Sequence, residues 1–284
     1  MKIKVWGCRG SIPAPGPSTL RYGGNTACME VRTSDGAVMI VDAGSGLRNL
    51  GKSLCQEKNI TSIRFFFTHS HWDHLVGFPF FKPAYSSDYI ITFCGGRHAQ
   101  ASIKRYLTRQ MEAPYFPVDF SLLKARFNFE CDNPHCELRA CRFDGMQVSS
   151  MLLNHPNGGY GYKFTEAGRI FVFIPDNELR FHHEGGPSRA EQVEFCRGAD
   201  LLFHDAQYTE ADYTRTRGWG HSTFADATDL AVEAGVKRLG LFHHDPDRTD
   251  DDLDQQVEYC RDRIRKAGGS VECFAAAEGM TIEL

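Results

Sequence analysis

The segment THSHWDH, residues 68–74, constrains this chain more than any other feature of its sequence. It places three histidines and an aspartate within six residues, directly after the apolar run Phe65–Phe67. His69 and His71 alternate, so along an extended segment both side chains point to the same side. Imidazoles and a carboxylate that converge at the end of a strand favour a divalent metal ion such as Zn²⁺. Hydrogen-bonded surface histidines are the simpler explanation for one histidine, but a poor one for four such residues together.

Three lone polar residues further along the chain also follow apolar runs. They are His155, Asp176 and His243. Each alone is more often structural than functional. Together with the four polar residues of THSHWDH they make seven candidate ligands, the number that a two-metal hydrolase needs.

Length and composition narrow the class of protein. The 284 residues fit one large domain or two small ones. A net charge of -4 argues against a globally basic nucleic-acid binder. No apolar run approaches the roughly 18 residues that cross a membrane. The N-terminal MKIKVWGCRG lacks the apolar core of a signal peptide, so a cytoplasmic location is expected.

The ten cysteines are scattered and are expected to be reduced in that compartment. The tightest group is Cys131, His135, Cys136 and Cys141. A small zinc site there is an alternative to plain structural cysteines, although the spacing matches no paired Cys-x-x-Cys pattern.

The hydrophobic pattern predicts two strand-rich halves with helices between and after the strands. The first 70 residues are predicted as strands and turns, with a hairpin turn at Ser34–Gly36. Strands are predicted at Lys2–Trp6, Ala27–Thr33, Ala37–Val41, Ile63–Phe67, Tyr89–Cys94, Gln147–Asn154, Gly161–Thr165, Ile170–Ile174, Asp200–His204 and Lys237–Phe242, and two more close the chain. Helices are predicted at His98–Gln110, Ser188–Arg197 and Thr223–Ala234, and on the apolar face of Leu253, Val257, Cys260 and Ile264. Weak periodicity marks 111–145 as an insertion that caps or flanks a cleft. The order of the predicted strands and helices favours sheets covered by layers of helices.

THSHWDH resembles the His-x-His-x-Asp-His signature of the metallo-β-lactamase fold. The resemblance continues in the same order along nearly the whole chain. Asp42 in MIVDAG resembles a structural aspartate, and NHPNGGYGYKF, FIPDNEL and LFHHDP resemble the remaining ligand motifs. It implies an α/β fold, a four-layer αββα metallo-β-lactamase sandwich, with 1–284 as a single domain and the insertion around 111–145.

The resemblance also implies two divalent metal ions per chain. One ion would be held by His69, His71 and His155, the other by Asp73, His74 and His243, with Asp176 as the bridge. Two alternatives stay open: His244 could replace His243, and Asp205 could take the bridging role. Zinc suits the histidine-rich set, and manganese or iron also fits a mixed His/Asp shell.

The stretch GWGHST, residues 218–223, resembles the accessory histidine motif of the RNase Z-like and cyclic-nucleotide phosphodiesterase branch. This implies a dinuclear phosphodiesterase that attacks a small cyclic or linear phosphodiester through a metal-bound hydroxide. Asp73 would orient or deprotonate the attacking water, and His221 would donate a hydrogen bond or proton toward the phosphate or leaving oxygen. The structural alternative for His221 is a histidine at a helix N-terminus beside a Ser222 N-cap.

Several polar residues near these motifs are candidate substrate contacts. The candidates are Asn157, Tyr160 and Ser222, together with Tyr162, Ser11, Asn25 and Arg21. Polar loop residues are more often merely solvated.

Three other functions are weighed against the phosphodiesterase. An RNase Z-like RNA endonuclease shares the motifs, but no Gly/Pro-rich basic arm is apparent. A thioester, lactone or β-lactam hydrolase shares the ligands without calling for GWGHST. A non-enzymatic metal or redox module would favour acidic replacements among the histidines. A small phosphodiester is therefore the expected partner, RNA the alternative, no membrane is involved, and a homodimer is expected by resemblance alone.

Overall fold

Two seven-stranded sheets form the centre of this computed structural model, which describes residues 1–94, 97–129, 141–143 and 145–284. The strands of the first sheet are β1 (Lys2–Gly7), β2 (Cys28–Arg32), β3 (Val38–Val41), β4 (Ser62–Phe66), β5 (Ile90–Cys94), β6 (Arg126–Phe129) and β14 (Thr281–Glu283). Their order in the sheet is β14-β1-β2-β3-β4-β5-β6. The pairs from β14 to β3 are antiparallel and those from β3 to β6 are parallel.

The second sheet has the same division into an antiparallel and a parallel half. Its strands are β7 (Cys141–Phe143), β8 (Met146–Leu152), β9 (Tyr160–Glu166), β10 (Arg169–Ile174), β11 (Leu201–Asp205), β12 (Arg238–Phe242) and β13 (Glu272–Ala275). They lie in the order β13-β12-β11-β10-β9-β8-β7. The pairs from β10 to β13 are parallel, so β8, β10, β11 and β12 all run in one direction.

Helices cover the outer face of each sheet. The α-helices of the described residues are α1 (Leu47–Leu54), α2 (Arg97–Gln110), α3 (Arg189–Cys196), α4 (Glu210–Thr216), α5 (Phe224–Glu233) and α6 (Asp250–Lys266). One buried cluster joins α1 and α2 to the first sheet, and another joins α3, α5 and α6 to the second. In the part of the chain that the structure describes, no helix has the length and apolarity needed to cross a membrane.

A third buried cluster lies between the two sheets, which confirms the predicted four-layer αββα order. The run Phe65–Phe67 shows how one strand serves two clusters. Phe65 and Phe67 face the helices, with ring centroids 5.7 Å apart. Phe66 faces the opposite sheet and lies 5.9 Å from the ring of Phe164. The run is continuous because this strand is buried on both faces.

The prediction of strands and turns for the first 70 residues was wrong at α1. The three leucines of that helix, Leu47, Leu50 and Leu54, are fully buried against the first sheet. The helix has only eight residues, and Gly51 in its middle approaches Phe81 closely. A short, glycine-interrupted helix gives too weak a periodic signal to be recognised. The seven-residue helix α4 was missed for the same reason.

The segment 111–145, predicted as an insertion, contributes a strand to each sheet. β6 pairs with β5, and β7 pairs with β8. Residues 130–140 and 144 of this segment lie outside the described residues, as do Cys131, His135 and Cys136 of the alternative zinc site. Cys141 is the first residue of β7.

Candidate metal centre

The ends of four strands bring the predicted ligands to one edge of the sandwich. β4 ends just before THSHWDH, and β8, β10 and β12 end just before His155, Asp176 and His243. The last three strands run in the same direction, so their carboxyl ends lie at the same edge of the second sheet. Convergence of these residues follows from the strand order.

Six of the seven candidates form two triplets of potential ligand atoms, and within each triplet these atoms lie within 4.8 Å of one another. The first triplet is His69, His71 and His155, and the second triplet is Asp73, His74 and His243. In the first, His71 Nδ1 lies 3.1 Å from His155 Nε2. In the second, Asp73 Oδ2 lies 3.4 Å from His74 Nε2 and 3.1 Å from His243 Nε2.

Asp176 lies between the two triplets. Its Oδ1 is 3.1 Å from His74 Nε2, and its Oδ2 is 3.2 Å from His243 Nε2. The same Oδ2 is 3.7 Å from His69 Nε2. Asp205 instead accepts hydrogen bonds from His221 Nδ1 at 2.9 Å and from the amide of Asn177 at 3.0 Å. The geometry therefore favours Asp176 over Asp205 as the bridging carboxylate.

The two adjacent histidines at the end of β12 have different surroundings. His243 faces Asp73 and Asp176, with a backbone φ of 59°. His244 turns away, and its Nε2 donates to the carbonyl oxygen of Ala276 at 2.8 Å. The geometry favours His243 as the ligand.

Three of the candidate ligand histidines are oriented by a hydrogen bond on their Nδ1 atom. His74 donates to Asp42 Oδ2 at 2.8 Å, and Asp42 is itself held by the amide and hydroxyl of Thr68. His243 lies 2.9 Å from Gln207 Oε1. His155 donates to the carbonyl oxygen of Gly220 at 2.9 Å. In each case Nε2 is left to face the centre, as a metal ligand requires.

The buried polar atoms of the centre fit a divalent ion. His69 Nε2 has no hydrogen-bond partner among the described residues, and His74 Nε2 and Asp176 Oδ1, although 3.1 Å apart, do not meet in hydrogen-bond geometry. Buried polar atoms without partners are costly, and a metal ion would satisfy all three. Burial lowers the pKa of His69 and of His71, and lowers the pKa of His155 to about 3. These imidazoles are therefore neutral at pH 7, the form that binds metal.

His221 lies beside the second triplet. Its ring stacks on that of His243 with centroids 4.8 Å apart. Burial opposes its protonation, but the adjacent Asp205 carboxylate raises the pKa of His221 to about 9. The N-cap of the following helix is Thr223, which accepts from the amide of Asp226, so the predicted Ser222 N-cap was wrong.

A cavity of about 880 Å³ opens against the first triplet. Asn157 and Tyr160 line it, and their contact with a substrate stays a prediction. Ser222 does not: it is fully buried, and its hydroxyl is used by the backbone of Asn177 and Leu179. That assignment is corrected, because Ser222 holds the loop after β10.

The four additional polar candidates have structural partners. Tyr162 lies in the core and donates to the carbonyl oxygen of Phe67. The side chain of Asn25 binds Glu278, and Arg21 pairs with acidic residues of α6. Ser11 approaches the centre through its backbone, since its amide donates to Asp73 Oδ2 at 2.8 Å.

Sequence reasoning missed Gln207 and Gly220, which orient candidate ligands, and the cavity residues Tyr106, His183 and Glu184. Gly220 lies inside the GWGHST motif, so its neighbourhood was marked. The other four carry no pattern that separates them from ordinary surface or loop residues.

Comparison with known proteins agrees with this architecture. Residues 39–244 match the β-lactamase superfamily domain. Ribonuclease Z of Picrophilus torridus is 25% identical in an alignment of 285 positions that covers 86% of this chain and 85% of that protein.

Two solved structures match the fold along the whole chain. The metallo-β-lactamase fold protein YhfI from Bacillus subtilis has a TM-score of 0.69 at 19% identity, covering 100% of this chain and 99% of that one. A diphosphatase from the PhnP family has a TM-score of 0.68 at 17% identity, covering 100% and 97%. The fold is therefore the metallo-β-lactamase fold.

Proposed function

We propose that this chain, which belongs to the β-lactamase superfamily and is a hydrolase of the metallo-β-lactamase fold, cleaves a small phosphodiester with the help of two divalent metal ions, most simply zinc. The observation that carries the proposal is the arrangement of two ligand triplets around Asp176, with His221 stacked against the second. When bound, two such ions polarise a phosphoryl oxygen and lower the pKa of a water molecule.

Asp73 and His221 have the positions needed to assist the reaction. Asp73 Oδ2 is fixed by the amide of Ser11 as well as by its neighbours in the second triplet, so it can orient an attacking water. The imidazole of His221 stacks on that of His243, and the Asp205 carboxylate binds its Nδ1 atom. Its Nε2 can then donate to the leaving oxygen.

The cavity favours a compact substrate with its charge concentrated at the metal centre. His69, His71 and His155 form part of its wall. No Lys or Arg is among its described lining residues, and Glu184 adds a negative charge. A single phosphodiester with an uncharged group fits a cavity of this size. Successive phosphates of an RNA strand are usually neutralised by Lys and Arg.

RNA cleavage is the second candidate function, because the Picrophilus torridus relative carries the name ribonuclease Z. Hydrolysis of a thioester, lactone or β-lactam would use the same ligands and is the third.

A homodimer and a cytoplasmic location stay predictions.

The test is hydrolysis of a chromogenic phosphodiester by the purified chain, with added Zn²⁺ or Mn²⁺ and with a chelator. We expect metal-dependent turnover that the chelator abolishes and that the His71→Ala variant lacks. A precursor tRNA, a thioester and a lactone are assayed in parallel. Turnover of the tRNA alone would contradict the proposal and favour RNA cleavage. Turnover of only the thioester or lactone would favour hydrolysis of carboxylic esters and thioesters instead.

A further inference from the structure

We propose that Glu178 is a positioning residue that ties the wall of the substrate cavity to the loop carrying His221 and thereby fixes the ligand His155. Glu178 is fully buried and lies two residues after Asp176. The activity part of the argument rests on the proposed function, whereas the metal-binding part does not.

The carboxylate of Glu178 receives four hydrogen bonds. Its Oε1 accepts from Tyr213 Oη and from the amide of Gly218, both at 2.7 Å. Its Oε2 accepts from the amide of Gly220 at 2.8 Å and pairs with His183 Nε2 at 3.1 Å. Two backbone amides of the GWGHST loop therefore bind a single buried anion, which fixes the conformation of that loop.

Gly220 passes this constraint to the metal centre. Its amide binds Glu178, and its carbonyl oxygen accepts from His155 Nδ1 at 2.9 Å. Its φ is +95°, and a Cβ at this position would lie 2.1 Å from His155 Nδ1. Gly220 is thus held at its amide by Glu178 and at its carbonyl oxygen by His155, and there is no space for a side chain between them. Carboxylates commonly orient metal-binding histidines directly, and here the carboxylate acts through one residue.

His183 connects the same carboxylate to the cavity. It lies on the cavity wall next to Glu184 and Gly185, and its side chain is largely buried. A group that fills the cavity contacts a wall bonded to Glu178, and Glu178 in turn holds the loop of His221. Tyr213 anchors the other oxygen from α4. Glu178 is therefore placed to hold the cavity wall, the GWGHST loop and the candidate ligand His155 in fixed positions relative to one another.

The Glu178→Gln variant of the full chain tests this role. Glutamine has the same shape, but its NH₂ group cannot accept a bond from a backbone amide. The matched control is Glu166→Gln, which removes another buried carboxylate that accepts from a backbone amide, that of Ser34, and that does not line the cavity. Zinc affinity is measured by competition with a chromophoric chelator, kcat and KM with the chromogenic phosphodiester, and folding by thermal unfolding.

We expect Glu178→Gln to weaken zinc binding and lower kcat, each about 10- to 100-fold, as loss of a partner behind a metal ligand typically does. KM should change less than kcat, and Glu166→Gln should stay within about twofold of the parent in zinc affinity and kcat, because Glu166 contacts neither a candidate ligand nor the cavity wall. A folded Glu178→Gln protein with parental zinc affinity and kcat would overturn the proposal. Equal losses in both variants would also overturn it, because charge rather than position would then be responsible.

Substitutions at His183 decide the question if Glu178→Gln does not fold. His183→Leu removes one donor to the carboxylate, whereas His183→Gln retains a donor. We expect a severalfold loss of zinc affinity in the first and recovery in the second, and equal affinities in both would overturn the proposal. Zinc affinity is measured without substrate, so it decides on Glu178 even if the parent chain hydrolyses no phosphodiester.

Discussion

His155 and Gly220, 65 positions apart in the chain, share a hydrogen bond of 2.9 Å from the imidazole Nδ1 to the carbonyl oxygen. Because a carbonyl oxygen can only accept, the Nδ1 atom of His155 carries the proton. Its Nε2 atom then faces the other two members of the first triplet, His69 and His71. The orientation of this candidate ligand thus depends on a residue that is not itself a candidate ligand. The loop that contains Gly220 also carries His221, so the metal centre and the accessory histidine share one support.

Substitution of Gly220 should reveal the close approach to His155. An added Cβ would lie 2.1 Å from His155 Nδ1 and 2.4 Å from Pro156 Cδ. Gly218 is the matched control: its φ of +86° is equally left-handed, but its nearest neighbour would be 4.0 Å away. We expect Gly218→Ala to lower the free energy of unfolding by about 1–2 kcal/mol through backbone strain. This variant should still bind metal. Gly220→Ala should lower the free energy of unfolding further and should lose metal. Denaturant unfolding and metal analysis measure the two effects. Equal behaviour of the two variants would contradict the close contact.

The adjacent histidines at the end of β12 give a second matched pair. His243→Ala should remove metal and abolish hydrolysis, because His243 Nε2 faces both Asp73 and Asp176. His244→Ala should keep the metal content and lose only stability, about 1–3 kcal/mol, since it breaks a buried bond to Ala276. Metal analysis of both purified variants is the measurement. Loss of metal in His244→Ala alone would reverse the ligand assignment.

His221 should act on turnover rather than on metal content. We expect His221→Ala to lower kcat by about 100-fold or more, as removal of a general acid does, with little metal lost. Asp205→Asn should act in the same direction, because Asp205 holds the Nδ1 of His221. Kinetics and metal analysis on the same samples separate the two effects. A metal-free His221→Ala protein would make His221 a ligand, a role compatible with its closeness to His155 and Asp176.

Residues that follow apolar strands were predictable, whereas residues that act through the backbone were not. His155, Asp176 and His243 each interrupt an apolar pattern, and the strand order then brings them together. Gln207 and Glu178 have no such signal, because their roles arise only where separate loops meet. Proximity in sequence also misled, since Ser222 adjoins His221 yet binds the loop after β10 instead of lining the cavity.

The helices show the same limit for the fold. Strongly periodic α6 was predicted from its apolar face, and its N-terminus is fixed by a capping box between Thr249 and Asp252. The short helices α1 and α4 were missed because seven or eight residues offer too few turns for a pattern. Their positions are decided by tertiary packing, as in the burial of Leu50 against the first sheet.

Metal binding should stabilise the folded chain. His69 Nε2 is buried without a hydrogen-bond partner among the described residues, and His74 Nε2 and Asp176 Oδ1 face each other at 3.1 Å outside hydrogen-bond geometry. The unfolded chain has no preformed site for an ion. Zinc at 100 times its dissociation constant should therefore raise the free energy of unfolding by about 2.7 kcal/mol. For a domain of this size that corresponds to a rise in Tm on the order of 5 °C. Calorimetry of the chelated and zinc-loaded chain measures the shift, and Asp176→Asn, which weakens the bridge between the triplets, should show a smaller one. An unchanged Tm at saturating zinc would mean that these buried atoms are not metal ligands, and the proposed chemistry would lose its basis.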